Sequence, residues 1–166
     1  MFRKYNGIRL FEVGSAEGNA GMITLQTITK ENIEEVIALK VREDQRGFVS
    51  SVAESLAQAY VYNETAYPFA VYEDDTLVGF IMMGYYEVKN YYTLWKFLID
   101  YRYQNKGYGK KALELGLDFI RDRFNVKEIY IGVVPGNVVA KRLYESVGFK
   151  DTGLIELGME EMKLSY

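Results

Sequence analysis

The sequence predicts a mixed α/β fold, with a mostly antiparallel sheet that contains one parallel pair of strands and is flanked by helices. Three observations support this fold class. Strand-like segments separated by turn residues follow one another in the middle of the chain, as they do in hairpins. A long amphipathic helix pattern then separates two further strand patterns, which implies one parallel pair joined by a crossover. Two last strand patterns close the chain.

The N-terminal residues differ in composition from the rest. Residues 1–21 end in a run of small residues from Gly14 to Gly21, which has the composition of a linker. We expect residues 1–21 to be a leader or an added extension. Residues 22–166 have the length of one domain and are expected to fold as a single unit.

The first half of the domain is predicted as a strand, two helices and an antiparallel meander. Ile23–Thr27 alternates apolar and polar side chains as a strand does, and Thr29 offers a cap for the helix that follows. Ser51 and Glu54 form a capping box, which marks the start of a second helix that ends near Asn63. The three meander strands are expected at Phe69–Glu73, Leu77–Glu87 and Thr93–Ile99.

The second half begins with the clearest helix. Apolar residues from Ala112 to Phe124 recur at helical spacing opposite a charged face. A strand at Ile129–Val134 follows, and then a helix at Val138–Val147 that Gly148 ends. Two closing strands are expected around Asp151–Ile155 and Glu160–Leu164.

The composition narrows the chemistry. The chain has no cysteine and no histidine, so a disulfide framework, a thiolate nucleophile and the commonest general base are excluded. The net charge of −3 gives no basic field for nucleic acid, and no apolar run is long enough for a membrane span. We therefore expect a cytoplasmic protein that acts on a small molecule, with no metal, nucleic-acid or membrane partner.

The segment from Gln104 to Lys110 carries the strongest chemical signal. It lies between a predicted strand and the amphipathic helix, and its glycines Gly107 and Gly109 allow backbone N–H groups to surround a phosphate. The helix N-terminus adds unpaired donors and the positive end of its dipole. The segment matches neither the P-loop nor the three-glycine dinucleotide motif, so a P-loop or Rossmann nucleotide-binding site is excluded.

Two patterns occur in order along the chain. Gln104, Gly107 and Gly109 form Q-x-x-G-x-G, and the residues from Asn137 to Phe149 form N-x-x-A-x-x-L-Y-x-x-x-G-F. Together they resemble the two signatures of the GNAT superfamily of N-acetyltransferases. The resemblance spans roughly residues 23–164 and implies the GNAT fold, in which the parallel pair splays apart, with acetyl-CoA as cosubstrate.

The resemblance also implies where acetyl-CoA binds. The backbone of the strand before the glycines would bond to the pantetheine arm, the glycine segment would hold the pyrophosphate, Asn137 would contact the pantetheine, and Tyr144 would lie near the sulfur. The implied binding residues are Phe97, Leu98, Ile99, Gln104, Asn105, Lys106, Gly107, Tyr108, Gly109, Lys110, Asn137, Ala140 and Tyr144.

Tyr144 is the predicted catalytic acid, because a phenol can give a proton to the departing thiolate at neutral pH. The general base cannot be carried over in the same way. Trp95 and Lys96 stand where related polyamine acetyltransferases can carry a carboxylate. The alternatives for the base are an ordered water or one of Glu43, Asp44 and Glu87.

The stretch Val41–Val49, with Glu54 and the residues after it, resembles the bacterial spermidine/spermine acetyltransferase branch of the family. Carboxylates lining a groove would attract such polycations, and Glu43, Asp44, Glu54 and Glu87 are available for this. The predicted substrate-binding residues are Glu43, Asp44 and Glu87. The first hypothesis is direct acetyl transfer to a primary amine of a polyamine. The alternatives are a protein N-terminus or an antibiotic amine as acceptor, and a non-catalytic acyl-CoA sensor.

Tyr85, Tyr86, Tyr91 and Tyr92 could offer a homodimer surface.

Overall fold

The structure is a computed structural model that describes residues 21–166. The predicted leader or extension, residues 1–21, lies outside the described residues except for Gly21. Within the described range no helix is both long enough and apolar enough to cross a bilayer.

The described chain forms the predicted elements in the predicted order. The strands are β1 (Ile23–Gln26), β2 (Ala66–Glu73), β3 (Thr76–Tyr86), β4 (Tyr91–Ile99), β5 (Glu128–Val133), β6 (Lys150–Glu156) and β7 (Met159–Ser165). The helices are α1 (Ile33–Ile37), α2 (Val52–Val61), α3 (Tyr108–Phe124) and α4 (Val138–Ser146). Two single 3-10 turns, Glu43–Gln45 and Tyr101–Tyr103, lie in the connections before α2 and α3.

All seven strands belong to one sheet with the order β1-β2-β3-β4-β5-β7-β6. The pair β4 and β5 is parallel, and every other neighbouring pair is antiparallel. The crossover between the parallel strands is α3, as the strand, helix, strand pattern predicts. The mixed α/β prediction is therefore confirmed.

Helices cover both faces of the sheet, and β3 shows why. Its side chains alternate between faces, so Phe80 and Met82 pack with the α1 and α2 residues while Ile81 and Met83 pack with α3. All four side chains are fully buried. A Cβ on Gly116 of α3 would come within 2.8 Å of Ile81 Cδ1, so the glycine lets the helix lie close to the sheet at this point. The two cores hold β4 and its neighbours in place from both sides.

The start of α1 differs from the prediction. Asn32, not Thr29, occupies the N-cap position, and no side chain caps the helix there. The Thr29 hydroxyl instead accepts from Glu31 N at 3.3 Å, and Asn32 Oδ1 accepts from Thr29 N at 2.8 Å. Thr29 and Asn32 thus close a turn of their own in front of the helix, which shortens α1.

The tyrosines at the β3–β4 hairpin pack mainly on one another. The ring centroids of Tyr85 and Tyr92 lie 4.9 Å apart, and those of Tyr86 and Tyr91 lie 5.7 Å apart. Tyr91 also stacks on Tyr130 of β5 at 4.3 Å. The rings of these four tyrosines and of Tyr130 are therefore half-buried by contacts within one chain. A homodimer through this surface stays a prediction.

Candidate active site

The parallel strands β4 and β5 separate shortly after they begin. Their register pairs Tyr92 with Ile129 and Thr93 with Tyr130, at the N-terminal ends of both strands. On the other side of β4, Met82 pairs with Lys96 and Met83 with Leu94, so Trp95 is the extra residue of a β-bulge. A bulge bends the strand that carries it. The predicted splay between the two strands is therefore present, and it begins at the bulge.

A cavity of about 630 Å³ occupies the opening between the strands. One side of it is formed by the end of β4, the glycine loop (residues 104–110) and α4. The opposite side is formed by the segment that connects α1 to α2, residues 41–50, together with Glu54. Both predicted signatures thus contribute to the wall of one cavity.

The glycine loop has the backbone of an anion site. Asn105 has φ 62° and Gly107 has φ 81°, so left-handed residues alternate with ordinary ones and turn successive N–H groups to one side. Gly107 is the N-cap of α3 and leaves the first helical N–H groups without a side-chain partner. A Cβ on Gly107 would meet nothing within 4 Å, so the position requires glycine for its conformation and not for space.

Most of the predicted binding residues meet at the cavity. Those in its lining are Phe97, Leu98, Ile99, Gln104, Asn105, Tyr108, Gly109, Asn137, Ala140 and Tyr144. Lys106, Gly107 and Lys110 are exposed residues of the same loop and do not line the cavity. Lys106 and Lys110 add two positive charges to the loop at the start of α3, and positive charge there favours an anion.

Tyr144 lies on the buried side of α4 and reaches the cavity wall. The residue is 8% exposed, and its ring lies 6.1 Å from that of Phe149. Burial raises the pKa of the Tyr144 phenol above its ordinary value, so the group keeps its proton throughout the neutral range. Within residues 21–166 no side chain or backbone group bonds to its hydroxyl, which leaves the O–H free to donate into the cavity.

Asn137 and Tyr108 fix the helices beside the cavity. Asn137 caps α4, because its Oδ1 accepts from Ala140 N at 3.2 Å. Tyr108 begins α3, and its hydrogen bond to the Glu73 carboxylate raises the pKa of the Tyr108 phenol to about 12. The first contact stabilises the start of α4 from within, and the second joins the start of α3 to the end of β2.

The acidic residues predicted to bind substrate lie elsewhere. Glu43 pairs with Arg46 at 2.8 Å, Asp44 pairs with Arg42 at 3.2 Å, and Glu87 is exposed in the β3–β4 turn. Glu43, Asp44 and Glu87 are all absent from the cavity lining. The structure therefore does not bring them together with Tyr144.

One carboxylate and one ammonium group do line the 41–50 side of the cavity. Glu54 accepts from Ser51 N at 2.9 Å and from Ser51 Oγ at 2.8 Å, and these hydrogen bonds lower the pKa of its carboxyl. Lys96 Nζ donates to Ser50 Oγ at 2.9 Å. Both residues belong to the lining of the cavity.

Sequence reasoning missed several wall residues. The lining also contains Gln45, Phe48, Val49, Val133, Leu143 and Met159, none of which was assigned to the site from the sequence, although Leu143 belongs to the second signature. The stretch Val41–Val49 resembles polyamine acetyltransferases, and its carboxylates were the residues predicted to bind the substrate. The apolar and amide side chains of that stretch are the ones that face the cavity.

Comparisons with known proteins identify relatives along most of the chain. Residues 37–149 match the model of the Acetyltransferase (GNAT) family. A Bacillus subtilis spermine/spermidine N(1)-acetyltransferase is 31% identical over 148 residues, which cover 84% of this chain and 95% of that protein. The uncharacterized N-acetyltransferase YbbJ of the same species is 30% identical over 82% of this chain and 90% of its own length.

A solved structure shows the same fold. It is the spermidine N-acetyltransferase of Vibrio cholerae in complex with CoA and spermine, which aligns with a TM-score of 0.69 at 19% identity. The alignment covers 86% of this chain and 95% of that chain. Family model, relatives and fold agree with the splayed strands and both signatures: the chain belongs to the GNAT acetyltransferase family and is an acetyl-CoA-dependent N-acetyltransferase.

Proposed function

We propose that this enzyme transfers the acetyl group of acetyl-CoA directly to a primary amine of a small polyamine such as spermidine or spermine, in the cytoplasm. The observation that carries the proposal is the cavity between β4 and β5, which both signatures line. The choice of a polyamine is supported by the 31% identical relative, whose name states that it acetylates spermine and spermidine.

The residues around the opening fit acetyl-CoA. Beyond Thr93 the β5-facing backbone of β4 has no strand partner and can bond to an extended arm at Phe97–Ile99. The glycine loop offers free N–H groups for the pyrophosphate. A Cβ on Gly109 would lie 3.6 Å from Ile99 and 3.8 Å from Leu143, inside the space that the arm would occupy. Acetyl-CoA supplies the acetyl group as a thioester.

Tyr144 donates a proton to the sulfur of the departing CoA. During transfer a C–N bond forms and the C–S bond breaks, so negative charge develops on sulfur. The Tyr144 hydroxyl is protonated and has no competing bond among residues 21–166, so it can donate to that sulfur. Asn137 and Phe149 hold the helix and ring in place. The amine attacks the thioester directly, and the chain has no cysteine that could take the acetyl group first.

The amine must reach the thioester without its proton. Lys96 lies in the lining beside Ser50, where its positive charge repels an approaching ammonium group. The proton then passes to water, because Glu43, Asp44 and Glu87 lie outside the cavity and the Glu54 carboxylate already accepts two hydrogen bonds from Ser51. Glu54, on the same side, can attract a more distant ammonium group of the polyamine.

Lys96 also motivates a second candidate acceptor, the N-terminal amine of a peptide. An ammonium donor in the lining suits the carbonyl group next to such an amine and repels a second ammonium group. The two acceptors thus make opposite demands on the same side chain.

The test is acetyl-CoA-dependent thiol release on spermine, spermidine, a short diamine and a peptide amine at equal concentrations. We expect the highest kcat/KM with spermine or spermidine, and acetylated polyamine as the product by mass spectrometry. A higher kcat/KM with the peptide would replace the polyamine proposal by the peptide one. CoA binding without turnover of any amine would contradict both.

A further inference from the structure

Two side-chain amides connect the opposite sides of the cavity. Gln104 Nε2, in the glycine loop, donates to Ile99 O at 3.0 Å and to Gln45 Oε1 at 2.8 Å. Gln45 Oε1 also accepts from Arg42 N at 3.3 Å. Both glutamines are half-buried in the cavity lining. Gln104 therefore bridges the end of β4 and the middle of the 41–50 segment.

The ends of that segment are fastened by other groups. Asp100 is 1% exposed, and its carboxylate accepts from Lys40 N at 3.0 Å, while Tyr101 N donates to Lys40 O at 2.8 Å. At the other end, Lys96 Nζ donates to Ser50 Oγ at 2.9 Å. Gln45 lies between these two attachments. Its bond to Gln104 is the contact that joins the middle of the segment to the glycine loop.

We propose that Gln45 is a positioning residue that couples the acetyl-CoA site to the amine site. Binding of the pyrophosphate would order the glycine loop and with it the Gln104 side chain. Because Gln104 bonds to Gln45, that order extends to Phe48 and Val49, which line the amine side. The second ligand then meets a segment that is already ordered, and the coupling acts equally in both directions. This inference rests on the proposed function.

Three variants and a control separate the coupling from general damage. Gln45→Ala removes the acceptor. Gln45→Glu keeps an oxygen that can accept from Gln104 Nε2 and from the backbone. Gln104→Glu replaces the donor by a carboxylate that cannot donate to Ile99 O, and the Gln45 amide could bond to it only by turning over and giving up its bond from Arg42 N. Gln58→Ala changes an exposed glutamine of α2 outside the cavity lining.

Hydrogen exchange followed by mass spectrometry, with and without saturating CoA, gives a readout that needs no turnover. We expect CoA to slow exchange of amides 41–50 about fivefold in the original chain, the size of one net hydrogen bond. Gln45→Glu and Gln58→Ala should keep this protection. Gln45→Ala and Gln104→Glu should lose this protection. If Gln45→Ala does not fold, Gln104→Glu alone tests the coupling.

Binding measurements on the same proteins complete the test. In the original chain CoA should raise the affinity for spermidine about fivefold, and in Gln45→Ala this factor should fall to about one. Equal CoA protection of amides 41–50 in the original chain and in Gln45→Ala would overturn the inference, as would no protection in either. If no amine is acetylated, the proposed function fails while the exchange result still decides the coupling.

Discussion

Replacement of Tyr144 by phenylalanine removes one oxygen from the cavity wall. The ring keeps its contact with Phe149, whose centroid lies 6.1 Å away, and no hydrogen bond within residues 21–166 is broken. Because the hydroxyl leaves no orphaned partner, the free energy of unfolding should change by less than about 1 kcal/mol. An effect of this substitution on the rate would therefore be chemical and not structural.

The expected loss follows from the role of a general acid. Proton donation to the leaving group contributes about 10²- to 10⁴-fold to the rate, so kcat of Tyr144→Phe should fall at least about 100-fold. The KM for acetyl-CoA should stay within about a factor of three, because the hydroxyl serves the sulfur as its charge develops and not the ground state.

The pH dependence has a definite sign. Burial raises the pKa of Tyr144, so the group stays protonated through neutral and mildly alkaline pH. Loss of its proton should therefore cause no fall in kcat between about pH 7 and 9, and the deficit of Tyr144→Phe should be constant over that range.

The assay is steady-state thiol release with spermidine as acceptor, together with thermal unfolding of each protein. Tyr62→Phe is the matched control, since Tyr62 is 52% exposed and lies outside the cavity lining. A kcat for Tyr144→Phe within a factor of three of the original chain would refute the acid role. A large fall in kcat for Tyr62→Phe as well would show that the assay reports general damage.

Three further predictions concern other parts of the site. Gly109→Ala should weaken CoA binding about tenfold or more, because the added Cβ would fill space 3.6 Å from Ile99. A titration with CoA can be followed by the fluorescence of Trp95, the chain's one tryptophan, which lines the cavity. Lys96→Gln should raise kcat/KM for spermidine a few-fold at low salt, and an unchanged value would remove Lys96 from the acceptor site. Burial opposes ionisation of Asp100, but hydrogen bonds from Arg102 and the backbone lower the pKa of its carboxyl overall. The stability that Asp100 contributes is therefore present above its ordinary pKa of 3.8 and is lost as the pH falls further. Denaturant unfolding should show Asp100→Asn less stable by about 1 to 3 kcal/mol at pH 7, with the difference shrinking below pH 4; a difference that does not depend on pH would contradict this.

Local chemistry explains why the elements could be predicted. The apolar stripe of α3 has a helical period, and Ser51 and Glu54 form the predicted capping box of α2. Asn137 caps α4 at the predicted place. Each of these signals depends on residues a few positions apart, so it can be recognised without knowledge of the tertiary structure.

The amine side could not be predicted in the same way. Gln45 and Gln104 are far apart in sequence, and their hydrogen bond exists only because the turn beyond β4 meets the segment between α1 and α2. The bulge at Trp95 likewise depends on the pairing with β3. Their charge and the family resemblance point to Glu43 and Asp44, but the structure shows each of them paired with a neighbouring arginine.

The central claim is direct acetyl transfer to a polyamine amine in the cavity between β4 and β5. A single-turnover experiment tests it most directly: enzyme in excess is mixed with acetyl-CoA labelled in the acetyl group, spermidine is added, and quenched samples are separated by mass. We predict that the label passes from acetyl-CoA to spermidine at the rate of thiol release, with no label on the protein. Label that accumulates on the protein, or that stays on acetyl-CoA while CoA is bound, would contradict the account.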